Sequence, residues 1–355
     1  MSKTSRNRLD AISFESAFRC LERRAGKMCV AAVLAVLTLL VPAQHSPGAP
    51  PDSEKPTPSQ AEVGASKRLV LAAGDRVVLI GNTFAERLQH FGHLEARLQL
   101  ACPDLGLTVR NLGWSADEVD LMPRPLEFGE LEDHLADKKA SVILMCFGAN
   151  ESFGGSDGLG EFKAGLTKLT DRLEGQNFDG RAAVRLVLVS PTAHEKLPPP
   201  FPDPRERNAM LEVYTEAMAE FAESRGLPFV DLFHPTLNLM AEHPKIDFTI
   251  NGIHFTEQGY AIVCDVLAGQ LGYGTPKFDA TAEALRGLVV EKNRQFFLRW
   301  RPINAEYVFG RRKEPFGVVS FPPEMAELDR IVTELDGKIQ AEAQRLTAQP
   351  APKKP

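Results

Sequence analysis

Five short apolar runs, separated by longer amphipathic stretches, constrain the fold of this 355-residue chain most strongly. The runs lie at residues 77–80, 107–112, 142–147, 184–189 and 228–232. Alternation of short apolar strands with helices is typical of a parallel sheet covered by helices on both faces. The sequence therefore predicts an α/β fold of three layers with a flavodoxin-like sheet, in which ligands bind at the carboxyl ends of the strands.

Four stretches between and after these runs repeat apolar residues at the three- and four-residue spacing of an amphipathic helix. They cover residues 85–100, 161–173, 205–224 and 256–271. Gly226 follows the third stretch as a helix C-cap, and Thr256 opens the fourth as an N-cap. We predict one continuous helix in each stretch and a main domain at residues 67–274.

Residues 1–43 are predicted to be a signal peptide. A basic region that includes Arg23 and Arg24 precedes an apolar stretch at residues 28–41, and Val41-Pro42-Ala43 supplies a small-residue cleavage site. An uncleaved N-terminal anchor is the alternative, although this apolar stretch is short for a membrane span. The following residues 44–66 are rich in proline and are predicted to be a disordered tether. We therefore expect an exported protein, located in the periplasm or outside the cell.

Residues 275–355 are predicted to form a helical C-terminal extension with a frayed tail. Helical patterns cover residues 280–298 and 323–346, and an arginine- and aromatic-rich segment lies at residues 296–312. That segment is suited to stacking on sugar rings or docking another protein. Alternatively, it packs on the main domain as an amphipathic strap through Phe297, Trp300 and Phe309.

The charge of the chain argues against nucleic acid as a partner. The formal net charge is −6, and removal of the basic residues 1–43 would leave a protein of about −10. The cysteines that remain, Cys102, Cys146 and Cys264, lack CxxC spacing and predict neither a disulfide framework nor a zinc site. The oligomeric state has no signature in the sequence.

Four short segments near the predicted strand ends carry residues suited to acyl transfer. The segments are Gly81-Asn82-Thr83, Asn111-Leu112-Gly113, Gly148-Ala149-Asn150 and Asn251-Gly252-Ile253-His254. Cleavage of an acyl ester needs an oxygen nucleophile, a base that takes its proton and donors that stabilise the oxyanion. Histidine is the side chain best suited to move a proton at neutral pH. In this order, the four segments resemble the SGNH/GDSL hydrolase family.

The resemblance implies a role for one residue or more in each segment. Thr83 would be the nucleophile, and His254 would be the base, with Asn251 orienting its ring. The backbone N–H of Gly113 and the side-chain amide of Asn150 would bind the oxyanion. The resemblance implies no metal and no organic cofactor, and it implies a small-molecule or glycan ester as the substrate.

Three positions depart from the family pattern. Thr83 replaces the usual serine, and its extra methyl group crowds the acyl carbon and restricts χ1. Asn251 replaces the usual aspartate and supplies no negative charge; the corresponding change in serine proteases costs about 10⁴ in turnover. Glu151 stands where an aspartate commonly follows the family asparagine.

Each candidate residue also has a purely structural interpretation. Thr83 suits the N-cap of a helix, and Asn251 suits an Asx turn. Asn150 suits a turn with positive φ, Gly113 a tight strand exit, and His254 a turn or cap contact. A further loop, which contains His194 and the stiff residues 198–204, either shapes a substrate cleft or is an ordinary surface loop.

We therefore expect an exported ester hydrolase of the SGNH/GDSL type. The resemblance, together with export, points to acyl esters of carbohydrates. A catalytically silent module that binds a glycan or a protein with the same fold is the main alternative. An adaptor domain whose C-terminal extension docks elsewhere is a third.

Overall fold

The predicted parallel sheet is confirmed in the computed structural model, which describes residues 68–274, 278 and 280–348. Its strands are β1 (Arg76–Gly81), β2 (Thr108–Asn111), β3 (Val142–Cys146), β4 (Arg185–Val189) and β5 (Phe229–Val230). All are parallel and lie in the order β2-β1-β3-β4-β5. Each strand coincides with one of the five apolar runs. The predicted signal peptide, tether and final tail (349–355) lie outside the described residues.

Helices follow the strands. Those before the extension are α1 (Thr83–Phe91), α2 (His93–Ala101), α3 (Leu131–Asp137), α4 (Gly155–Leu173), α5 (Arg205–Arg225), α6 (Phe233–Glu242) and α7 (Glu257–Gln270), with a 3₁₀ turn at Glu151–Gly154. The extension adds α8 (Glu283–Trp300), α9 (Ala305–Val308) and α10 (Gly317–Ala348). Among the described residues, no helix is both long enough and apolar enough to cross a bilayer.

The sheet is covered on both faces, as the three-layer prediction requires. In β1, Val77 and Leu79 pack into one apolar cluster, and Val78 and Ile80 pack into another. The first cluster includes side chains of α1, α2 and α7, and the second includes side chains of α3, α4 and α5. Successive side chains of a strand point to opposite faces of the sheet, so a strand that is apolar throughout can be covered by helices on both faces. The loops at the carboxyl edge are thereby left to form a site.

The prediction of one continuous helix at residues 85–100 was wrong. Gly92, with φ of +67°, ends α1 and precedes α2. Its hydrogen atom faces α8, where a Cβ atom would lie 3.1 Å from side-chain atoms of Val289 and Val290. Gly92 thus allows both the left-handed turn and the close approach of the C-terminal extension. The helix caps at Thr256 and Gly226 are confirmed.

The C-terminal extension packs directly on the main domain. Leu285 of α8 and Ile339 of α10 are fully buried in a cluster with Ala96 of α2. Beside this cluster, the fully buried Lys292 Nζ lies 2.6 Å from Glu95 Oε2 and donates to the carbonyl oxygen of Val109 at 2.8 Å. The extension and the main domain therefore share an apolar core and a buried ion pair.

The arginine- and aromatic-rich segment 296–312 faces the main domain. The Trp300 ring lies 5.6 Å from the Trp114 ring between centroids, and Phe309 lies 5.1 Å from Phe128. The Arg301 guanidinium lies over the Trp114 ring at 3.7 Å. These contacts favour the interpretation that the segment packs on the main domain as an amphipathic strap. Docking of a partner through this segment stays a prediction.

We expect Lys292→Met to lower the free energy of unfolding by about 3–5 kcal/mol, because it leaves the Glu95 carboxylate buried without its partner. The matched control is Lys163→Met, since Lys163 forms an exposed pair with Glu220. It should cost about 1 kcal/mol or less. Urea denaturation of both variants measures the difference. Equal losses would show that the buried pair does not anchor the extension.

Candidate active site

A cavity of about 210 Å³ opens at the carboxyl ends of β1, β3 and β4. Its walls include the side chains of Thr83, Arg87, Asn150, His194, His254 and Tyr260. Three of the predicted site residues, Thr83, Asn150 and His254, thus come from segments far apart in the sequence and meet at one cavity. Asn251 lies in the adjoining groove, and Gly113 does not line the cavity.

Thr83 is held at the start of α1 by a tight turn after β1. Gly81 has φ of +119°, and a Cβ atom there would lie only 2.0 Å from the carbonyl oxygen of Cys146. Asn82 then caps the helix, because its Oδ1 accepts a hydrogen bond from Phe84 N–H at 3.0 Å. The N-cap is therefore Asn82 and not Thr83, so the structural alternative for Thr83 is wrong. The Thr83 hydroxyl accepts a hydrogen bond from Ala116 N–H at 3.3 Å.

The Asn251 side chain fixes the tautomer of His254. Its Oδ1 accepts from the backbone N–H of Ile253 at 3.2 Å and of His254 at 2.9 Å, and lies 3.0 Å from His254 Nδ1. Since both backbone groups are donors only, the atom facing them is an oxygen, and the ring nitrogen beside it carries a hydrogen. His254 Nε2 is then unprotonated in the neutral ring. Asn251 thus forms the turn and orients the ring.

The cavity favours the neutral form of His254. Burial, and then the positive charge of Arg87, lower the pKa of His254 below its usual value. Burial, Arg207 and His254 together lower the pKa of His194 to about 4. Both rings are therefore neutral at pH 7. Neither Asn251 nor any residue lining the cavity supplies a carboxylate to stabilise an imidazolium.

Asn150 presents its amide to the cavity from the loop after β3. Its Nδ2 makes one long hydrogen bond, at 3.4 Å, to the carbonyl oxygen of Asp117. The loop is fixed by Glu151, whose carboxylate accepts from Gly148 N–H at 2.8 Å and Val119 N–H at 3.0 Å. Burial raises the pKa of Glu151 to about 7. Glu151 thus holds the loop and does not line the cavity.

Gly113 allows the loop after β2 to lie in close contact with α1. Its N–H donates to Asn111 Oδ1 at 2.8 Å, and a Cβ atom would lie 2.6 Å from the backbone nitrogen of Glu86. In this structure the Gly113 N–H is therefore engaged and lies away from the cavity. The same loop reaches Thr83 instead through Ala116, which has φ of +65°.

Arg87 and Tyr260 line the cavity but were not predicted from the sequence as site residues. Arg87 follows Thr83 by four residues on α1, which places both on one face of the helix. Tyr260 is buried, stacks on Phe91 and donates to the carbonyl oxygen of Phe84 at 3.2 Å. The four-residue spacing from Thr83 could have identified Arg87 as a cavity residue. No sequence pattern distinguished Tyr260 from an ordinary core residue.

Residues 80–262 match the model of the GDSL-like lipase/acylhydrolase family. The chain belongs to this family. The match covers the segments that carry Thr83, Gly113, Asn150 and His254, and the resemblance seen in the sequence is thus confirmed.

One solved structure supports the fold, and two further ones are similar at lower TM-scores. A gut microbial diltiazem-metabolizing enzyme is similar with a TM-score of 0.57 and 13% identity, over 79% of this chain and 97% of that chain. A catalytic mutant of an acetylxylan esterase from Geobacillus stearothermophilus has a TM-score of 0.43 and 18% identity, over 58% and 99%. An alpha/beta hydrolase from the metagenome of Lake Arreo, Spain, has a TM-score of 0.41 and 18% identity, over 58% and 99%. No curated protein matches the sequence.

Changing the charges around His254 should shift its pKa. Arg87→Gln removes a repelling positive charge, and Asn251→Asp places an anion against Nδ1, so each raises the pKa of His254 above that of the unmodified protein. NMR titration of the ring protons measures it. Arg225→Gln, whose arginine pairs with Asp171 on the protein surface, is the control and should leave the pKa unchanged. A pKa unaffected by Arg87→Gln would contradict the assigned cause.

Proposed function

We propose that the protein is an ester hydrolase with a threonine nucleophile. The supporting observation is the convergence of Thr83, Asn150 and His254 on one cavity in a chain of the acylhydrolase family. A hydroxyl, an imidazole of defined tautomer and an amide donor are the groups that acyl transfer requires.

The reaction proceeds in two steps. Thr83 Oγ1 attacks the ester carbonyl carbon and gives its proton to His254 Nε2. The oxyanion accepts hydrogen bonds from Asn150 Nδ2 and from the N–H of Thr83, which at the start of α1 has no partner within the helix. The ester C–O bond then breaks, and the leaving alkoxide takes the proton from His254. Water, activated by His254, hydrolyses the acyl-threonine and restores the hydroxyl.

We propose acyl esters of carbohydrates as the substrate class and export as the route to them. A groove of about 480 Å³ adjoins the cavity and shares Phe153, His194 and Ile253 with it. Phe153 and Phe201 expose aromatic surface along this groove. Exposed aromatic side chains offer a flat apolar platform for a sugar ring. In this proposal the loop at residues 198–204 shapes a substrate cleft, and residues 1–43 direct export.

A silent binding module is the second candidate. It is supported by the engaged N–H of Gly113 and by the neutral Asn251 beside His254. Both features weaken the stabilisation of charge that develops during acyl transfer.

Hydrolysis of 4-nitrophenyl acetate separates the two candidates. We expect His254→Ala to lower kcat by about 10²–10⁴ and Thr83→Val, which keeps the shape but lacks the hydroxyl, to abolish turnover. Thr83→Ser should raise kcat, because it removes the crowding methyl group. Turnover unchanged in Thr83→Val would exclude Thr83 as the nucleophile, and no turnover in any form would favour the binding module.

The side chain of Asn150 should matter for rate more than for binding. Asn150→Ala removes an oxyanion donor and should lower kcat by about 10²–10³ with little change in KM. Asn251→Asp should raise kcat, because the new carboxylate stabilises the imidazolium that forms during attack. Steady-state kinetics on the same ester measures both. A kcat for Asn150→Ala equal to that of the unmodified protein would remove this residue from the proposed mechanism.

A further inference from the structure

Arg87 brings an unbalanced positive charge to the cavity. Arg87 lines the cavity together with His254 and Tyr260. Its Nη2 lies 3.5 Å from the carbonyl oxygen of Phe255, and its buried Nε has no hydrogen-bond partner among the described residues. By contrast, Arg97 pairs with Asp265, and Arg110 pairs with Asp336. Within the described part of the chain, no carboxylate lies at ion-pair distance from Arg87.

The rest of the cavity adds positive potential. The N-terminus of α1, where the Thr83 N–H has no partner within the helix, opens onto it. No aspartate or glutamate lines it. A partly buried charge without a counterion is costly, and an anionic ligand would offset that cost. The electrostatics of the cavity thus suit an anion.

The same charge opposes catalysis by a neutral substrate. When His254 takes the proton of Thr83, a second cation forms near Arg87, and the neutral Asn251 supplies no opposite charge. A substrate anion bound to Arg87 would remove this repulsion at the moment the imidazolium forms. The substrate would thereby contribute the negative charge that the protein lacks at position 251.

We propose that the substrate is an ester that also carries a carboxylate, and that Arg87 binds this carboxylate. This inference rests on the proposed hydrolase function and specifies its substrate class. The planar guanidinium matches a carboxylate through two parallel hydrogen bonds, a geometry that a lysine does not reproduce. The carboxylate belongs either to the alcohol, as in an O-acetylated uronic acid, or to the acyl group, as in a half-ester of a dicarboxylic acid.

Two matched pairs of esters test the preference. The first compares acetate release from 4-nitrophenyl tri-O-acetyl-β-D-glucuronide and from 4-nitrophenyl tri-O-acetyl-β-D-xyloside, which carries the same three acetyl esters but no carboxylate. The second compares mono-4-nitrophenyl succinate with 4-nitrophenyl butyrate. We expect kcat/KM to favour the anionic ester of one pair by about 10- to 100-fold, the range expected of a charge-assisted hydrogen bond. The pair that responds identifies the side of the ester that carries the carboxylate.

Substitution of Arg87 tests whether this residue causes the preference for the anionic ester. Arg87→Gln should reduce the anionic-to-neutral ratio of kcat/KM to about 1, and Arg87→Lys should retain only part of it. Arg225→Gln, on the protein surface, should leave the ratio unchanged. Equal kcat/KM within both pairs for the unmodified protein, or a ratio that survives Arg87→Gln, would overturn the proposal. Hydrolysis of the neutral esters in that case would leave the hydrolase function standing.

Ligand binding to a variant that lacks the Thr83 hydroxyl tests the proposal independently of hydrolysis. Calorimetry of the Thr83→Val variant with D-glucuronate, D-glucose and monomethyl succinate needs no hydrolysis. We expect Thr83→Val to bind one of the two carboxylates and the double variant Thr83→Val/Arg87→Gln to lose that binding. This result is expected even if no ester is hydrolysed and the proposed function fails. Absence of binding by both carboxylates would overturn the proposal. Circular dichroism of each variant confirms that the fold is retained.

Discussion

The contact between the ends of β1 and β3 is the constraint on which the cavity depends. Gly81 pairs with Cys146 in the sheet, and a side chain at residue 81 would collide with the carbonyl oxygen of Cys146. The same oxygen accepts a hydrogen bond from Asn82 N–H at 3.1 Å. This approach turns the chain sharply into α1 and sets Thr83 beside the loop that carries Asn150. Any side chain at position 81 would separate the two loops.

The sheet was predictable from the sequence because its interior strands are buried on both faces and read as continuous apolar runs. The break at Gly92 was not predictable, because it depends on α8, which approaches from the other end of the chain. The start of α1 was also misplaced. With the helix predicted from residue 85, Thr83 stood before it; the structure begins the helix at Thr83 and so aligns Arg87 with it.

The site residues were predictable as a set but not in their individual contacts. An ordered series of strand-end segments must converge when the strands are parallel, which accounts for Thr83, Asn150 and His254. Hydrogen bonding at Gly113 depends on which way the Asn111 side chain turns, and sequence spacing does not determine a rotamer. The three donors that meet at Asn251 Oδ1 are likewise a product of the local turn.

The C-terminal extension is linked to the cavity by a short series of contacts. Arg301 Nη1 lies 2.6 Å from Glu86 Oε1, and the other carboxylate oxygen of Glu86 accepts a hydrogen bond from the Ser115 hydroxyl. The next residue, Ala116, donates to Thr83 Oγ1. In the proposed mechanism Thr83 is the nucleophile, and because χ1 of threonine is more restricted than that of serine, its surroundings must hold it in a productive rotamer. Through Glu86 and Ser115, the extension therefore supports the loop that contacts Thr83, across the domain boundary that we predict at residue 274.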